Sequence, residues 1–341
     1  MSKLSEALCE RRPVVVLLGP TAAGKSRIAV QVAKCFDTDV LTADSRQVYR
    51  GMDIGTDKPT AEDRQGVPHR LIDLADPDQA FNTGWYRQAA LAEIDRLYAA
   101  RQLPFVVGGT GLYIRTLVRG LCPAPQADPH VRAELMNISK EQGRDHLYAE
   151  LVHVDPDTAA RLHPNDEAKV MRALEVHRLS GQPMSALHRQ HGFQEAAFAV
   201  LLIGLQRPKK VLYRRIEERI DWQLAHGMVE ETRALLDRGY GRHLGALKGL
   251  GYRQVSAYLA GEYDYVEMVR RFKRDTRHFA KRQMTWFRKE SGIVWDSIEE
   301  GEPLEHTVGR VVALIDQFLG TLERVTHSGV VQQTAWGEGS V

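Results

Sequence analysis

Residues 14–26 read VVVLLGPTAAGKS, and this stretch decides the fold. The run Val14–Leu18 is short and continuously apolar, which is typical of a strand buried inside a parallel sheet. Residues 19–26 match the pattern G-x-x-x-x-G-K-[S/T] of a phosphate-binding loop. The residues from Gly24 to Phe36 that follow place their apolar side chains on one helical face. A buried strand, this loop and an amphipathic helix together predict a site for a diphosphate or a triphosphate.

The residue types of the loop account for phosphate binding. Gly24 allows a tight turn that points successive N–H groups and a helix N-terminus at an anion. Lys25 adds a positive charge, and the Ser26 hydroxyl is the predicted ligand of Mg²⁺. The predicted phosphate-binding residues are Gly19, Pro20, Thr21, Ala22, Ala23, Gly24, Lys25 and Ser26.

Strands and helices alternate beyond this loop. Val40–Ala43 and Phe105–Val107 are predicted strands, and Trp85–Ala100 is a predicted helix between them. This alternation predicts an α/β fold with a P-loop NTPase-like parallel sheet flanked by helices. Residues 122–129 are rich in proline, and no strand is predicted from there to about His191. The sequence therefore predicts an inserted all-helical domain.

These patterns divide the chain into four segments. We expect residues 1–121 to form the first part of the P-loop α/β core and residues 122–191 to form the inserted helical domain. Residues 192–325 are expected to complete the core with basic C-terminal helices. The Ser, Gly and Gln residues of 326–341 predict a disordered tail.

Composition excludes several classes of protein. The 341 residues are 43% hydrophobic and 26% charged, which is typical of a globular chain. No run approaches the roughly 18 apolar residues of a membrane span, and the N-terminus lacks the apolar region of a signal peptide. The three cysteines and thirteen histidines show no zinc or redox spacing. We therefore expect a cytoplasmic protein without a membrane span or a zinc site.

The net charge of +2 conceals segregated positive charge. Arg270–Lys289 carries +8 and Arg207–Arg219 carries +4, which leaves −10 for the rest of the chain. Such segregation is typical of a surface that binds a polyanion, although a solvated helix face has the same composition.

Polar residues that follow the predicted strands are candidates for chemistry. Asp44 and Thr110 each come directly after a strand, so both lie at the sheet edge that holds the phosphate loop. Asp44 fits a general base, a ligand of Mg²⁺ through water, or a helix N-cap, and Thr110 also fits a cap. Arg215 and Arg219 share a helix face, where they either clamp phosphate oxygens or pair with nearby acidic residues.

Seven segments carry a family resemblance over about 270 residues. They are GPTAAGKS (19–26), DSRQVYRGMDIGTDKP (44–59), PHRLIDLADP (68–77), VVGGTGLYIR (106–115), HPNDEAKVMRALEVHRLSG (163–181), KGLGYRQ (248–254) and TRHFAKRQMTWFR (276–288). With these segments the chain closely resembles the bacterial tRNA dimethylallyltransferases, also called tRNA isopentenyltransferases. One departure is Lys169, where the family usually has arginine; the positive charge is kept but the bidentate geometry is lost.

The resemblance implies a reaction. A dimethylallyl group moves from dimethylallyl diphosphate to the exocyclic N6 of the adenine at tRNA position 37, in tRNAs that read codons beginning with U. Mg²⁺ is the implied cofactor, and no ATP is consumed. The implied catalytic residues are Asp44 as general base, Thr21 as donor to the bridging oxygen of the leaving diphosphate, and Arg219 as the group that neutralises its charge.

The resemblance also implies contacts with the anticodon stem-loop of tRNA. The residues concerned are Asp44, Ser45, Arg46, Gln47, Thr110, Arg132, Ala168, Lys169, Val170, Met171, Arg172, Lys248, Gly249, Leu250, Gly251, Tyr252 and Arg253. The adenine must leave the stack of the loop to reach a buried site. We expect a monomer whose partners are tRNA and dimethylallyl diphosphate.

Two rival functions share the fold and the loop. A nucleoside or small-molecule kinase needs an acceptor site for the γ-phosphate of ATP, but it has no use for a helix of charge +8. A non-catalytic RNA-binding NTPase switch explains the basic helix but predicts no transfer to RNA. Labelled dimethylallyl diphosphate incubated with tRNA separates the three, because only the transferase places label in RNA.

Overall fold

The computed structural model describes residues 4–192 and 197–328, which form two compact units. The chain passes from the first unit to the second at Val118/Arg119 and returns at Ala196/Ala197. The predicted insert, residues 122–191, lies within the second unit.

Six strands of the first unit form one parallel sheet. They are β1 (Pro13–Leu18), β2 (Val40–Ala43), β3 (His69–Arg70), β4 (Phe105–Gly108), β5 (Ala199–Gln206) and β6 (Ile293–Ser297). Their order across the sheet is β3-β2-β4-β1-β5-β6, and every neighbouring pair is parallel. The predicted α/β fold with a parallel sheet is confirmed.

The register of the central strands determines where the site lies. Gly108 pairs with both Leu18 and Ala43, so β1, β2 and β4 end at the same level. The loops that follow these three strands therefore meet at one edge of the sheet, as the rule for open parallel sheets predicts.

Helices connect and cover the strands. In chain order they are α1 (Glu6–Arg11), α2 (Lys25–Phe36), α3 (Ala61–Arg64), α4 (Thr83–Ala99), α5 (Gly111–Arg119), α6 (Pro129–Gln142), α7 (Arg144–Val154), α8 (Pro156–Ala159), α9 (Glu167–Ser180), α10 (Met184–His191), α11 (Lys209–Ala225), α12 (Met228–Asp237), α13 (Tyr252–Leu259), α14 (Tyr265–Phe287) and α15 (Leu304–Ser328). In the part of the chain that the structure describes, none is long and apolar enough to cross a membrane.

The sheet is buried on both faces, which explains its continuous apolar strands. Successive side chains of β1 point to opposite faces. Val15 and Leu17 pack in a cluster with α1, α2 and α15, whereas Val16 and Leu18 pack with α4 and α5. All six residues of β1 are buried. The phosphate loop that follows β1 therefore starts from a rigid support.

A further apolar cluster joins helices α11–α14 to the segment after β2. Val48 and Met52 of that segment pack with Ile216 of α11, Met228 of α12 and Phe272 of α14. This cluster therefore supports both the residues that follow Asp44 and helix α11, which contains Arg215 and Arg219.

The second unit is helical in the residues described between 119 and 192. Its core contains Leu135 of α6, Leu147 and Leu151 of α7, and Val170 and Leu174 of α9. The prediction of a disordered tail from residue 326 is wrong for the first three residues, because α15 continues to Ser328. The rest of that tail, residues 329–341, lies outside the described residues.

Candidate active site

The phosphate loop follows β1 and depends on two glycine conformations. Gly24 has φ 103° as the N-cap of α2, and a Cβ on Gly19 (φ 152°) would lie 2.6 Å from the carbonyl oxygen of Leu205. A side chain at Gly19 would therefore push β5 away from the loop. The loop wraps around the N-terminus of α2, where backbone N–H groups favour an anion.

Lys25 reaches across this loop. Its Nζ donates hydrogen bonds to the carbonyl oxygens of Gly19 and Pro20 at 3.0 and 2.8 Å. Desolvation of the ammonium group lowers the pKa of Lys25 to about 8, and nearby Asp44 counteracts part of this shift. A phosphate would offer Lys25 a charged acceptor in place of two carbonyl groups, and so a stronger hydrogen bond.

Three arginines from the region of β5 and α11 hold consecutive residues of the loop. Arg207 Nε donates to the Ala23 carbonyl oxygen at 2.8 Å, and Arg215 Nε donates to that of Ala22 at 3.0 Å. Arg219 Nη2 donates to Thr21 Oγ1 at 2.6 Å. Burial lowers the pKa of Arg207 and of Arg215, but a guanidinium group stays protonated in proteins. The loop is therefore lined by fixed positive charge.

The acidic residues that were possible partners of Arg215 and Arg219 pair with other residues. Glu217 pairs with Arg277, Glu218 with Arg214, and Asp221 with Lys273.

Arg219 pairs instead with Asp57 of the segment after β2, at 3.0 Å from Nη1 to Oδ2. Its Nε is buried without a hydrogen-bond partner among the described residues. Arg219 therefore has an acidic partner and also lies against the phosphate loop, so the structure combines features of both alternatives.

The carboxylate of Asp44 caps the turn that follows β2. Its Oδ1 accepts hydrogen bonds from the backbone N–H groups of Arg46 at 2.8 Å and Gln47 at 3.4 Å, which is the capping role. Its Oδ2 accepts none from residues 4–192 or 197–328, and Asp44 lines the same cavity as Lys25. One oxygen thus orients the carboxylate and the other can accept a proton.

Thr110 ties the loop after β4 to the loop after β2. Its hydroxyl oxygen accepts a hydrogen bond from the Ser45 N–H at 3.0 Å, and its own N–H donates to the Ala43 carbonyl oxygen at 3.1 Å. Asp44–Gln47 and Thr110 therefore form one cluster, as their positions after two strands predict.

A cavity of about 440 Å³ connects these groups. Lys25, Asp44 and Arg219 line it, together with apolar side chains that include Val30 and Phe279. The cavity therefore has a cationic part and apolar walls, which suits a small molecule that carries both a diphosphate and a hydrocarbon chain.

The predicted metal ligand lies at the same cavity. Ser26 is exposed at the start of α2, and the carboxylates of Asp44 and Asp57 line the same cavity. No group of three or more His, Cys, Asp or Glu side chains suited to a metal occurs in the described ranges. Mg²⁺ is typically held by one or two carboxylates plus substrate phosphates, so this sparse donor set fits a Mg²⁺ ion carried by a diphosphate.

The segment 248–253 lies beside Arg46, whose Nη1 donates to the Gly245 carbonyl oxygen at 2.7 Å. Lys248 and Arg253 are exposed, and Leu250 is partly exposed. Tyr252 is only 1% exposed. A Cβ on Gly251 (φ 83°) would lie 2.8 Å from the Phe272 ring. Lys248 and Arg253 can therefore meet tRNA, whereas Gly249, Gly251 and Tyr252 are buried and support the segment.

The remaining predicted tRNA residues lie in the second unit. Arg132 Nε and Arg172 Nη1 donate to the carboxylate of buried Glu175 at 3.0 and 2.6 Å. Burial opposes the charge on Glu175, but the hydrogen bonds from Arg172 and Arg132 outweigh it and lower the pKa of the carboxyl. Val170 is 1% exposed and belongs to the core, so its side chain cannot touch tRNA.

The other residues of that segment are more accessible. Ala168 and Lys169 are exposed, and Met171 is partly buried. Lys169 Nζ pairs with Asp166 at 2.7 Å, so the lysine that replaces the usual arginine stays on the surface of α9.

The basic stretch Arg270–Lys289 divides into two parts. Arg270, Arg271, Lys273, Arg274 and Arg277 pair with Glu267, Asp221, Asp275 and Glu217. The last four basic residues, Lys281, Arg282, Arg288 and Lys289, are exposed and have no carboxylate partner among the residues that the structure describes. The charge of +8 counted from the sequence is therefore partly paired, and the unpaired basic residues lie in the last turns of α14 and directly after it.

Three residues that shape the site were not predicted from the sequence. Gln283 Oε1 accepts from the Thr21 N–H, and its Nε2 donates to the Gly109 carbonyl oxygen, both at 2.9 Å. Buried Lys58 and the helix α12 residue Glu231 organise the segment after Asp44. For Gln283 the available signal was its place on the buried helical face of α14. For Lys58 and Glu231, nothing in the sequence distinguishes them from ordinary charged residues.

Comparison with known proteins gives a consistent result. The sequence model of the IPP transferase family matches residues 47–290, and that of isopentenyl transferases matches residues 12–77. A protein of Geotalea uraniireducens (strain Rf4) named tRNA dimethylallyltransferase 2 is 46% identical over 282 residues, which cover 83% of this chain and 91% of that protein.

Solved structures give the same result. The full-length tRNA isopentenylpyrophosphate transferase of Bacillus halodurans superposes with a TM-score of 0.70 at 34% identity, over 93% of this chain and 99% of that one. A eukaryotic dimethylallyltransferase acting on tRNA has a TM-score of 0.77 at 24% identity, over 93% of this chain and 85% of that one, and supports the fold.

Proposed function

Because this chain belongs to the IPP transferase family, we propose that it transfers a dimethylallyl group from dimethylallyl diphosphate to N6 of an adenine in tRNA. One observation carries the proposal most directly. A single cavity is lined by a cationic phosphate loop and by a carboxylate with one free oxygen, Asp44 Oδ2. The first suits a diphosphate, and the second suits an amine that must lose a proton.

The diphosphate binds at the phosphate loop. Backbone N–H groups at the start of α2, Lys25 and the arginines of α11 supply its positive surroundings. Mg²⁺, held by Ser26 and the diphosphate oxygens, would neutralise part of the negative charge when bound. The dimethylallyl chain lies along the apolar walls of the cavity.

Asp44 removes the proton. The N6 lone pair attacks C1 of the dimethylallyl group, the C1–O bond breaks, and diphosphate departs with its electron pair. The N6 proton passes to Asp44 Oδ2, while the N–H groups of Arg46 and Gln47 hold Oδ1 in place. An exocyclic amine is a poor nucleophile, so removing its proton as the bond forms lowers the barrier.

Thr21 and Arg219 stabilise the leaving group. The Thr21 hydroxyl accepts from Arg219 Nη2, so its own hydrogen is free to be donated to the bridging oxygen of the diphosphate. Arg219 adds charge where negative charge develops, and its pair with Asp57 fixes its orientation. Donors fixed in advance cost no reorganisation at the moment of bond cleavage.

Exposed basic residues bind the tRNA backbone. Lys248 and Arg253 are exposed on the segment beside Arg46, and Arg253 also pairs with Asp275. The last turns of α14 and the two residues after it add four unpaired charges, Lys281, Arg282, Arg288 and Lys289. Phosphate contacts of this kind position RNA, and the adenine reaches the buried carboxylate by leaving the base stack. The proposed target is the adenine at position 37 of tRNAs that read codons beginning with U, modified in the cytoplasm by a monomer.

The kinase alternative is not favoured. It shares the phosphate loop, but the named relatives are transferases that act on tRNA. No observation of the cavity favours a γ-phosphate acceptor over an adenine.

The test is transfer of label. Purified protein is incubated with unfractionated tRNA, Mg²⁺ and labelled dimethylallyl diphosphate, without ATP. We expect label in RNA and, after digestion, N6-(dimethylallyl)adenosine as the labelled nucleoside. ATP turnover without label in RNA would overturn the proposal in favour of a rival.

A further inference from the structure

Glu231, whose carboxylate lies outside the cavity, organises residues 53–57. These residues connect the proposed base, Asp44, with the leaving-group residue Arg219. Glu231 of α12 accepts hydrogen bonds from the backbone N–H groups of three consecutive residues, Asp53, Ile54 and Gly55, at 2.9, 2.8 and 3.1 Å. It also accepts one from the Tyr252 hydroxyl at 2.6 Å. Glu231 therefore fixes three consecutive backbone groups and a buried tyrosine relative to one another.

The segment that Glu231 holds touches the diphosphate clamp. Two residues beyond Gly55, Asp57 accepts from Arg219 Nη1 at 3.0 Å, and Arg219 Nη2 donates to the Thr21 hydroxyl at 2.6 Å. A displacement of residues 53–55 would therefore move Asp57, and with it the guanidinium group that faces the leaving group.

Through Gln47, the same segment is also connected to the proposed general base, Asp44. Gln47 Nε2 donates to the carbonyl oxygens of Thr56 and Asp57, both at 3.1 Å, and the Gln47 N–H faces Asp44 Oδ1. Glu231 itself does not line the cavity. Residues 53–57 are therefore the direct connection from Glu231 to the groups that line the cavity.

Tyr252 contacts both Glu231 and the segment that Glu231 holds. It begins α13, directly after the exposed segment that carries Lys248, and its ring lies within 2.5 Å of where a Cβ on Gly55 would be. Burial, followed by the Glu231 charge, raises the pKa of Tyr252, so its hydroxyl stays protonated and donates.

We propose that Glu231 is a positioning residue for prenyl transfer, which holds residues 53–57 so that Asp57 orients Arg219 toward the leaving diphosphate. This inference rests on the proposed function. A displacement of about 1 Å at a reacting centre can cost about 100-fold in rate, so the effect is measurable even though Glu231 contacts no substrate.

A double-mutant cycle tests the proposal with the full chain. Glu231→Gln keeps the shape but turns an amide group toward backbone donors. We expect it to lower kcat at least about tenfold in the wild-type background, and less than about threefold in the Asp57→Asn background. Glu230→Gln, which changes the exposed neighbour, is the matched control and should leave kcat unchanged. Thermal unfolding of each variant measures folding separately.

The outcomes are distinct. Equal losses from Glu231→Gln in both backgrounds, or a kcat like that of Glu230→Gln, would overturn the proposal. If Glu231→Gln does not fold, Tyr252→Phe takes its place in the cycle, and we expect a loss that again shrinks in the Asp57→Asn background. A wild-type protein that places no label in tRNA would instead refute the proposed function.

Discussion

The phosphate end and the carboxylate end of the cavity are built in different ways. The phosphate end is largely one contiguous segment, residues 19–26, between a buried strand and a helix. The carboxylate end is assembled from distant segments: Asp44 after β2, Thr110 after β4, and residues 245–249 before α13. The phosphate loop supplies its own binding groups and distant side chains brace it, whereas the carboxylate depends on contacts between separate loops. Substitutions at the two ends of the cavity should therefore affect diphosphate binding and the rate of transfer to different extents.

The largest effect should come from Asp44→Ala. Removal of the general base should lower kcat by about 10² or more, because the amine then keeps its proton during attack. Steady-state transfer of label to tRNA measures this. Gln31→Ala, on the exposed side of α2, is a suitable control. Residual turnover near that of the wild type would place the base elsewhere.

Thr21→Val should give the next largest effect. It keeps the shape of the side chain but removes the hydroxyl that faces the leaving group, so we expect kcat to fall about 100-fold. Thr116→Val, in α5, changes the same residue type at a buried position that does not line the cavity. Single-turnover rates with excess enzyme separate this loss from slow product release. Equal losses for both variants would argue for a purely structural effect.

Lys25 should make diphosphate binding depend on pH. Because desolvation lowers the pKa of Lys25 to about 8, the free protein loses this charge as the pH rises through 8. The affinity for inorganic diphosphate should therefore be highest below that pH and fall by up to about tenfold per unit above it. Calorimetric titration with inorganic diphosphate from about pH 7 to pH 9.5 measures this affinity. Both limits lie roughly one unit or more from the pKa of Lys25. Because diphosphate itself changes protonation in this range, Lys25→Ala supplies the baseline, and a pH profile equal to that of the wild type would contradict the assignment to Lys25.

The two parts of α14 give the smallest and most selective effect. Arg288→Ala with Lys289→Ala removes two unpaired charges, so the slope of log K for tRNA against log salt should fall by about one to two units. Arg270→Ala with Arg271→Ala removes two charges that already pair with Glu267, and should change the slope less. Filter binding across a salt series measures both. Identical slopes for the two double variants would mean that tRNA docks away from this helix end.

Much of this architecture could be predicted from the sequence. The apolar run before Gly19 and the loop pattern identified β1, the phosphate site and the parallel sheet, because burial on both faces demands continuous apolar strands. Asp44 and Thr110 were placed at the right edge because parallel strands end together. These predictions rest on rules that act locally or through sheet geometry.

Other features depend on tertiary pairing and could not be predicted. Nothing in the sequence shows that Asp57 pairs with Arg219, or that Gln283 bridges Thr21 and Gly109. The charge count of α14 overstated its free charge, because Asp221 and Glu217 lie far away in the sequence and meet the helix only after folding. Spacing along one helix cannot reveal a partner on another.

The dissociation constant for dimethylallyl diphosphate, measured for Asp44→Ala and Lys25→Ala beside the wild type, tests the separation of the two ends most directly. We expect Asp44→Ala to bind within about twofold of the wild type, because its carboxylate acts on the amine. Lys25→Ala should bind at least about tenfold more weakly, because a charge-assisted hydrogen bond to phosphate is lost. Equal weakening by both substitutions would contradict the account and make Asp44 part of the diphosphate and metal site.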